Sequence, residues 1–247
     1  MTAPSPGARP GPGVVILGTD TAAGKTTFAC ALLRLADRLA LAPVPYKPVE
    51  TGCTPNPDDA LRLLYASRAR GLTTRDVCPI QLPAPVAPAL AATLAGLTLR
   101  SADMVHAALL LARRGHFLVV ETAGGLLSPY GPGFTSADLA ADLALPIVLV
   151  APNRLGTINH TALAIGELTR RRLALAALIL VDTSAQRTPD QPHNPDLIAA
   201  QTAVRALATL PFVPGADPDL LADALAAQVA PAALFRRFGV GDPSVDP

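Results

Sequence analysis

Residues 18–27 read GTDTAAGKTT, between an apolar run at residues 14–17 and a helical stretch that starts at Lys25. A strand, a glycine-containing loop and a helix in this order predict a phosphate-binding P-loop, because backbone N–H groups and the helix dipole both favour an anion there. Lys25 would then reach the terminal phosphates, and the Thr26 hydroxyl would bind Mg²⁺. Five residues separate Gly18 from Gly24, one more than in the common motif. A dinucleotide fingerprint fits poorly, since GxGxxG is missing.

Short apolar runs alternate with helical stretches along the rest of the chain. The predicted strands cover residues 14–17, 44–46, 117–120, 147–150 and 176–181. The predicted helices cover residues 25–39, 58–69, 101–114, 135–143, 158–171 and 195–208, with a further helical segment after residue 219. Strands that are apolar without alternation, each followed by a helix, indicate a parallel sheet. We therefore predict an α/β fold, a single doubly wound and mostly parallel sheet of the P-loop NTPase type with helices on both faces.

The composition limits the classes of function. The 247 residues carry 20 Lys and Arg against 19 Asp and Glu, a net charge of +1 that excludes the electrostatic footprint of a nucleic-acid or anionic-membrane binder. Hydrophobic types make up 50% of the chain, yet every apolar run is far shorter than the roughly 18–20 residues of a membrane span. The three cysteines, Cys30, Cys53 and Cys78, have no CxxC spacing, which disfavours a disulfide framework or a zinc site.

The sequence also predicts the extent of the domain and its compartment. We expect one domain over residues 13–238, a mobile lead-in at residues 1–12 and a frayed tail at residues 239–247. The first twelve residues carry no apolar segment of the secretory type. Together with the unpaired cysteines, this feature predicts a cytoplasmic protein.

Two further motifs end predicted strands: YKPVETG at residues 46–52 and VVETAGG at residues 119–125. Pro48 keeps Lys47 extended, so its ammonium can project toward the P-loop; a solvated surface lysine is the alternative. Glu121 directly follows an apolar run, where a carboxylate in a P-loop protein typically reaches Mg²⁺; a capping or salt-bridging acid is the alternative. Asp58 and Asp59 open the next predicted helix, where aspartate is commonly only an N-cap.

Residues 155–160 read LGTINH after the strand at residues 147–150. Gly156 and the amides that follow it begin a helix whose N-terminus could hold a carboxylate. We expect His160 to be a packed or capping residue and not a general base, since no catalytic partner is recognisable nearby. Cys53 is expected to be a small buried thiol.

In their order and spacing, these four motifs resemble those of the dethiobiotin synthetase family, over roughly residues 14–214. The resemblance implies a ligase of biotin biosynthesis that carboxylates one amine of 7,8-diaminononanoate with CO2. ATP would then phosphorylate the carbamate, and the second amine would close the cyclic urea of dethiobiotin, releasing ADP and phosphate. The resemblance also implies a homodimer, small-molecule substrates, and no nucleic-acid or membrane partner.

The resemblance implies roles for individual residues. Lys25 and Lys47 would be catalytic, and Thr26, Asp59 and Glu121 would hold Mg²⁺. The nucleotide would be bound by Thr19, Asp20, Thr21, Ala22, Ala23, Gly24, Lys25, Thr26, Thr27, Glu121, Val181, Asp182, Pro211 and Val213. The diamine would be bound by Thr21, Lys47, Thr51, Gly124 and Gly125, and its carboxylate by Leu155, Gly156, Thr157, Ile158 and Asn159 of the partner chain.

The sequence departs from the family pattern at two positions. Ala22 stands where a Glu is found in the P-loop, and Val181 stands where an adenine-reading Asn is expected. Valine cannot donate to or accept from a base, so base selectivity is left open. Two alternatives share the P-loop: another small ligase, such as one acting on a corrinoid carboxylate, and a partitioning-type ATPase switch. The switch has a signature Lys where this chain has Asp20, and the other ligase would need a longer downstream segment.

Overall fold

A parallel sheet of six strands forms the centre of the molecule in the computed structural model, which describes residues 11–241. Its strands are β1 (Gly13–Gly18), β2 (Pro43–Tyr46), β5 (Phe117–Glu121), β8 (Ile147–Pro152), β9 (Leu175–Val181) and β10 (Ala208–Leu210). Their spatial order is β10-β9-β8-β1-β5-β2, and every neighbouring pair is parallel. Because β1 is central, the P-loop that follows it lies at the middle of one sheet edge.

Helices and small strand pairs surround this sheet. The helices are α1 (Lys25–Arg38), α2 (Asp58–Ser67), α3 (Thr74–Val77), α4 (Pro88–Leu94), α5 (Ser101–Ala112), α6 (Ser136–Leu143), α7 (Thr157–Arg170), α8 (Asn194–Thr202), α9 (Pro218–Ala226) and α10 (Pro231–Arg236). β3 (Val49–Thr51) pairs in parallel with β4 (Ile80–Leu82), and β6 (Pro129–Gly131) forms a hairpin with β7 (Phe134–Thr135). A short 3₁₀ turn covers Pro214–Ala216.

Alternate residues of the central strands divide the core into two layers. Val14 and Ile16 of β1 pack in the layer that includes α1, α2 and α9, whereas Val15 and Leu17 pack in the layer that includes α5, α6 and α7. All residues of β1, β2, β5 and β8 are buried. This explains the unbroken apolar runs in the sequence, because a strand covered on both faces has no solvent side. The predicted doubly wound sheet is confirmed.

One predicted element is wrong. The helix expected over residues 195–208 ends at Thr202, and Ala208–Leu210 instead form the edge strand β10, paired with β9. Ala203 adopts a left-handed conformation with φ 59°, which ends the helix. A strand of only three residues is too short to show a period that distinguishes it from a helix, and its pairing with β9 is a tertiary contact. The small pairs β3–β4 and β6–β7 were not expected either.

The chain ends fall partly outside the described residues. Most of the predicted lead-in at residues 1–12 lies there, although the Pro12 carbonyl accepts a hydrogen bond from the Leu118 N–H at 3.1 Å. Of the predicted tail at residues 239–247, only residues 239–241 are described, and the Val240 N–H donates to the Phe235 carbonyl at 3.2 Å. Among residues 11–241, no helix combines the length and the apolarity that a membrane span requires.

Candidate active site

The P-loop, residues 19–24, joins β1 to α1 in a conformation that needs glycine at its last position. Gly24 has φ 94°, and a Cβ there would lie 2.7 Å from the Cβ of Val181. Any other residue would therefore be strained and would also collide with β9. Ala22 has a positive φ of 57°, which is uncommon for a residue with a Cβ. At the start of the loop, the Thr19 N–H donates to the Val150 carbonyl at 2.9 Å and fixes the loop on β8.

Lys25 lies folded across its own loop. Its Nζ donates to the Asp20 carbonyl at 3.0 Å, and the residue is only 6% exposed. Burial, followed by the neighbouring Lys47 ammonium, lowers the pKa of Lys25 to about 8. The side chain is thus held where an anion in the P-loop would meet it.

Four polar side chains from four different elements converge beside the P-loop. Lys47 follows β2, Asp59 lies in the first turn of α2, Glu121 ends β5, and Thr26 lies in the first turn of α1. Lys47 Nζ donates to Asp59 Oδ2 at 2.7 Å and to Glu121 Oε1 at 2.5 Å. Thr26 Oγ1 lies 2.9 Å from both Asp59 Oδ1 and Glu121 Oε1. A hydroxyl has one proton, so Thr26 donates to one carboxylate at a time.

The charges in this cluster shift each other's pKa values. Burial alone would lower the pKa of the Lys47 ammonium, but Glu121 and Asp59 outweigh it and raise that pKa. Burial likewise works to raise the pKa of Asp59, but Lys47 dominates and lowers it. Glu121 is more deeply buried, and burial raises its pKa despite Lys47. The cluster is a buried ion-pair network, not a set of solvated surface charges.

The oxygen atoms of this cluster fit a magnesium ion. Oε2 of Glu121 is buried and has no hydrogen-bond partner among residues 11–241, an unsatisfied acceptor of the kind that a cation would use. Carboxylate and hydroxyl oxygens are hard ligands that suit Mg²⁺. Within residues 11–241, no group of three or more His, Cys, Asp or Glu residues is placed to hold a metal ion. Phosphate and water oxygens would therefore have to complete the coordination of Mg²⁺ at Thr26, Asp59 and Glu121.

Glu50 belongs to the site, although sequence reasoning missed it. Its Oε1 accepts from the Asp59 N–H at 2.9 Å and its Oε2 from the Ala60 N–H at 3.0 Å. Glu50 therefore caps α2 and fixes the backbone that carries Asp59, whereas neither member of the expected capping pair, Asp58 and Asp59, caps the helix with its side chain. Composition could have given the signal: the chain has only two lysines and three glutamates. Both lysines and two of those glutamates, Glu50 and Glu121, line one cavity.

That cavity has a volume of about 450 Å³ and is open to solvent beside the P-loop. Most of the predicted site residues line it: Thr21, Ala22, Ala23, Gly24, Lys25, Thr26, Thr27, Lys47, Thr51, Asp59, Glu121 and Gly124. Residues that were not predicted also line it: Glu50, Arg62, Ala123 and Thr183. Gly125 lies just behind the lining, where a Cβ would be 3.3 Å from the Thr19 carbonyl oxygen. The P-loop, the cluster around Lys47 and the glycine segment after β5 thus share one space.

The residues predicted to bind the base lie apart from this cavity. Val181 is 1% exposed and its side chain is packed beneath Gly24. Asp182 accepts a hydrogen bond from Asn153 Nδ2 at 2.8 Å, and Asn153 Oδ1 accepts from Asn194 Nδ2 at 2.9 Å. Asp20 of the P-loop, Pro211 and Val213 do not line the cavity either. The sequence missed Asn153, whose amide joins the ends of β8 and β9 to α8.

The segment LGTINH starts α7, as expected, and lies outside the cavity of its own chain. Gly156 has φ 92° and precedes the first turn, and Leu155 is 82% exposed. The other residues predicted to bind the substrate carboxylate in the partner chain are Thr157, Ile158 and Asn159, and none of them lines this cavity. His160 is exposed and makes no cap for α7, so the expected packed or capping role is wrong.

Comparisons with known proteins agree with this architecture. A family model described as an AAA domain matches residues 12–219. The chain is 46% identical over 204 residues to a protein of Anaeromyxobacter dehalogenans named ATP-dependent dethiobiotin synthetase BioD, covering 82% of this chain and 91% of that protein. It is 35% identical over 207 residues to a protein of the same name from Bacillus thuringiensis, covering 82% and 84% of the two chains.

Solved structures with the same fold are much less similar in sequence. The MinD cell division protein of Aquifex aeolicus matches with a TM-score of 0.54 and 14% identity, covering 94% of this chain and 99% of that one. A ParA family ATPase from Chlorobium tepidum TLS matches with a TM-score of 0.52 and 10% identity, covering 92% and 95%. At such low identity these likenesses show the P-loop NTPase fold alone.

Proposed function

The chain belongs to the dethiobiotin synthetase family of ligases, and from this premise we propose that it forms dethiobiotin from 7,8-diaminononanoate, CO2 and ATP. One amine adds to CO2 and loses a proton, which gives a carbamate. The γ-phosphoryl group of ATP passes to a carbamate oxygen, and ADP leaves. The second amine then attacks the carbamoyl carbon, and phosphate leaves as the cyclic urea closes. The convergence of Lys47, Asp59, Glu121 and Thr26 beside the P-loop carries this proposal.

Lys25 and Lys47 supply the positive charge that phosphoryl transfer requires. The P-loop backbone and Lys25 hold the terminal phosphates, because the N-terminus of α1 and the buried ammonium both favour an anion. Lys47 lies across the cavity at the end of β2, where it meets the carbamate oxygens and the transferring phosphoryl group. Such placed cations stabilise the charge of the transition state without covalent chemistry.

Thr26, Asp59 and Glu121 would hold Mg²⁺. When bound, the ion neutralises phosphate charge and orients the triphosphate. Glu50 acts through Asp59: by accepting the N–H groups of Asp59 and Ala60, it fixes the first turn of α2. Asp58 is exposed and does not line the cavity, so we assign it no role in the cluster.

The diamine lies against Thr21, Thr51 and the glycine segment after β5. Gly124 has φ 70°, and a Cβ there would collide with the Ser128 hydroxyl, so only glycine fits at this position of the cavity wall. The substrate carboxylate is bound by residues 155–159 of a partner chain at the start of α7. In support of this homodimer, Leu155 is exposed and residues 155–159 lie outside the cavity of their own chain.

A direct assay tests the proposed reaction. Purified protein is incubated with diaminononanoate, bicarbonate, Mg²⁺ and each nucleoside triphosphate in turn, and the cyclic urea is measured by mass spectrometry. We expect dethiobiotin with at least one nucleotide and none in Lys47→Ala, with the variant folded by circular dichroism. Absence of product from the wild-type protein with every nucleotide would overturn the proposal. Full activity in Lys47→Ala would remove that residue from the mechanism.

A further inference from the structure

The glycine segment after β5, residues 123–125, forms one wall of the P-loop cavity. Ala123 and Gly124 line the cavity, and Gly125 packs behind it against the P-loop. The segment belongs to no helix or strand, so its backbone N–H and carbonyl groups need partners outside a regular ladder. The groups that hold this segment therefore decide which of its backbone polar atoms stay free for a ligand.

Tyr130 of β6 holds the first residue of the segment. The Ala123 N–H donates to the phenol oxygen of Tyr130 at 2.6 Å, and the phenol makes a longer contact of 3.5 Å with the Ala123 carbonyl. Tyr130 is fully buried, and its ring meets Phe134 edge to face with the ring centroids 6.0 Å apart. Burial raises the pKa of Tyr130, so the group stays a neutral phenol whose oxygen accepts the Ala123 N–H.

Two serine hydroxyls hold the last residue of the segment. Ser128 Oγ accepts from the Gly125 N–H at 2.8 Å. Ser136 Oγ, in the first turn of α6, donates to the Gly125 carbonyl at 2.6 Å, and Ser136 is fully buried. The hydroxyls of Ser128, Tyr130 and Ser136, here called the three supporting hydroxyls, thus fix both ends of the segment.

Gly124 lies between these two fixed residues and keeps both of its backbone groups free. Within residues 11–241, neither its N–H nor its carbonyl takes part in a hydrogen bond. Gly124 is half-buried, and a Cβ built on it would lie 3.9 Å from Thr21 Oγ1 of the P-loop. An unpaired donor and an unpaired acceptor in a half-buried wall suit a ligand that carries both an N–H donor and an oxygen acceptor.

We propose that the three supporting hydroxyls position the diamine, by holding residues 123–125 so that the free backbone groups of Gly124 bind its reacting end. The inference rests on the proposed function, because it takes the diamine as the ligand of this wall. The Gly124 carbonyl accepts from an amine N–H, and the Gly124 N–H donates to an oxygen of the carbamate. The side chains of Ser128, Tyr130 and Ser136 do not line the cavity, so each acts through the backbone that it fixes.

Tyr130→Phe tests the proposal with little change in packing, because it removes the phenol oxygen and keeps the ring. Titrations with diaminononanoate in bicarbonate buffer and, separately, with ATP and Mg²⁺ measure the two affinities without turnover. We expect Tyr130→Phe to weaken diamine binding by about tenfold and to leave ATP binding unchanged, because the Ala123 N–H loses its acceptor and the peptide beside Gly124 is freed to turn. The kcat/KM for the diamine should fall at least as much, with the KM for ATP unchanged. Ser136→Ala, which releases the other end of the segment, should give the same pattern.

Tyr46→Phe is the matched control. Tyr46 is also fully buried, and its hydroxyl donates to a backbone carbonyl, that of Met104, at 2.9 Å. Among the described residues it forms no hydrogen bond with residues 123–125. We expect Tyr46→Phe to lower the melting temperature as Tyr130→Phe does and to leave the diamine affinity unchanged.

The outcomes separate this inference from the proposed function. Unchanged diamine affinity and kcat/KM in both Tyr130→Phe and Ser136→Ala would overturn the inference and leave the function standing. Equal weakening of the diamine and ATP, or an equal effect of Tyr46→Phe on the diamine, would also overturn it, because each shows a general loss of structure and not a change at one wall. A wild-type protein that binds no diamine would overturn both the function and the inference.

Discussion

Lys47 donates a 2.5 Å hydrogen bond to Glu121, and the two side chains are only 3% and 1% exposed. Removing two charges from water is costly, and the attraction between them offsets that cost only with close geometry and further polar partners. Asp59 and Thr26 supply those partners at 2.7 Å from Lys47 and 2.9 Å from Glu121. The stability of the protein and the chemistry of its candidate site are therefore coupled in this pair.

Breaking this pair from one side is expected to destabilise the fold. Glu121→Ala should lower the free energy of unfolding by about 3–5 kcal/mol, because it leaves the Lys47 charge buried with only Asp59 as partner. Lys47→Met combined with Glu121→Ala should cost less than the sum of the two single changes, because neither partner is then left as a buried charge without the other. Denaturant titrations of the two single variants and the double variant measure this coupling. Strictly additive losses would show that the two residues are energetically independent.

The adjacent residues Asp58 and Asp59 should behave differently on substitution. Asp59→Asn removes a carboxylate that contacts both Lys47 and Thr26, so we expect turnover to fall by at least about a hundredfold and Mg²⁺ dependence to weaken. Asp58→Asn makes the same chemical change at an exposed position and should leave both unchanged. Steady-state rates over a range of Mg²⁺ concentrations test this. Equal effects of the two substitutions would contradict the assignment of Asp59 as the metal-binding carboxylate.

Val181→Asn is expected to destabilise the protein. The side chain at this position is buried beneath Gly24, so an amide there would lose water without gaining a partner, at a cost of about 1–3 kcal/mol. Val181→Ala, which removes volume without adding a polar group, is the control. Thermal or denaturant unfolding gives the free energies. Unchanged stability, with ATP bound more tightly relative to CTP, would mean that residue 181 faces the base.

The cysteines should differ in their reactivity with iodoacetamide. Burial raises the pKa of Cys30 to about 12, so almost none of this thiol is ionised at pH 8. Burial also raises the pKa of Cys53, but that thiol is only half-buried, whereas Cys30 and Cys78 are buried. We expect Cys53 to be alkylated about tenfold faster than the other two, with the Cys30 rate still rising with pH above pH 9. Peptide mass spectrometry over time resolves the three sites, and equal rates would contradict this order.

Leu155→Asp should weaken the proposed dimer without affecting the fold of one chain. Leu155 is 82% exposed, so the substitution costs the monomer almost nothing, whereas a charge in an apolar contact between copies would disfavour association. We expect a shift toward monomer in sedimentation velocity and a higher KM for the diamine. Leu220→Asp, at another exposed leucine, on α9, is the control. A dimer of unchanged stability in Leu155→Asp would place the interface elsewhere.

Much of the active-site edge could be predicted from local sequence. The P-loop, Lys47 and Glu121 each directly follow an apolar run, and parallel strands bring their carboxyl ends to one edge. The right-handed connections between parallel strands therefore predict that these residues lie close together, without any knowledge of side-chain packing. The motifs also identified the family correctly. Each motif is a short stretch of chain, and the order and spacing of the motifs can be seen directly in the sequence.

The sequence by itself thus determined the sheet, the P-loop and the family, since these depend on residues that are neighbours along the chain. Only the tertiary structure decided that Glu50 caps α2, that Tyr130 and Ser136 hold residues 123–125 and that residues 208–210 form β10. Each of these depends on how separate elements pack: α2 against α1, β6 and α6 against the segment after β5, and β10 against β9. Such contacts have no fixed spacing in the sequence, and packing energy, not local propensity, selects them.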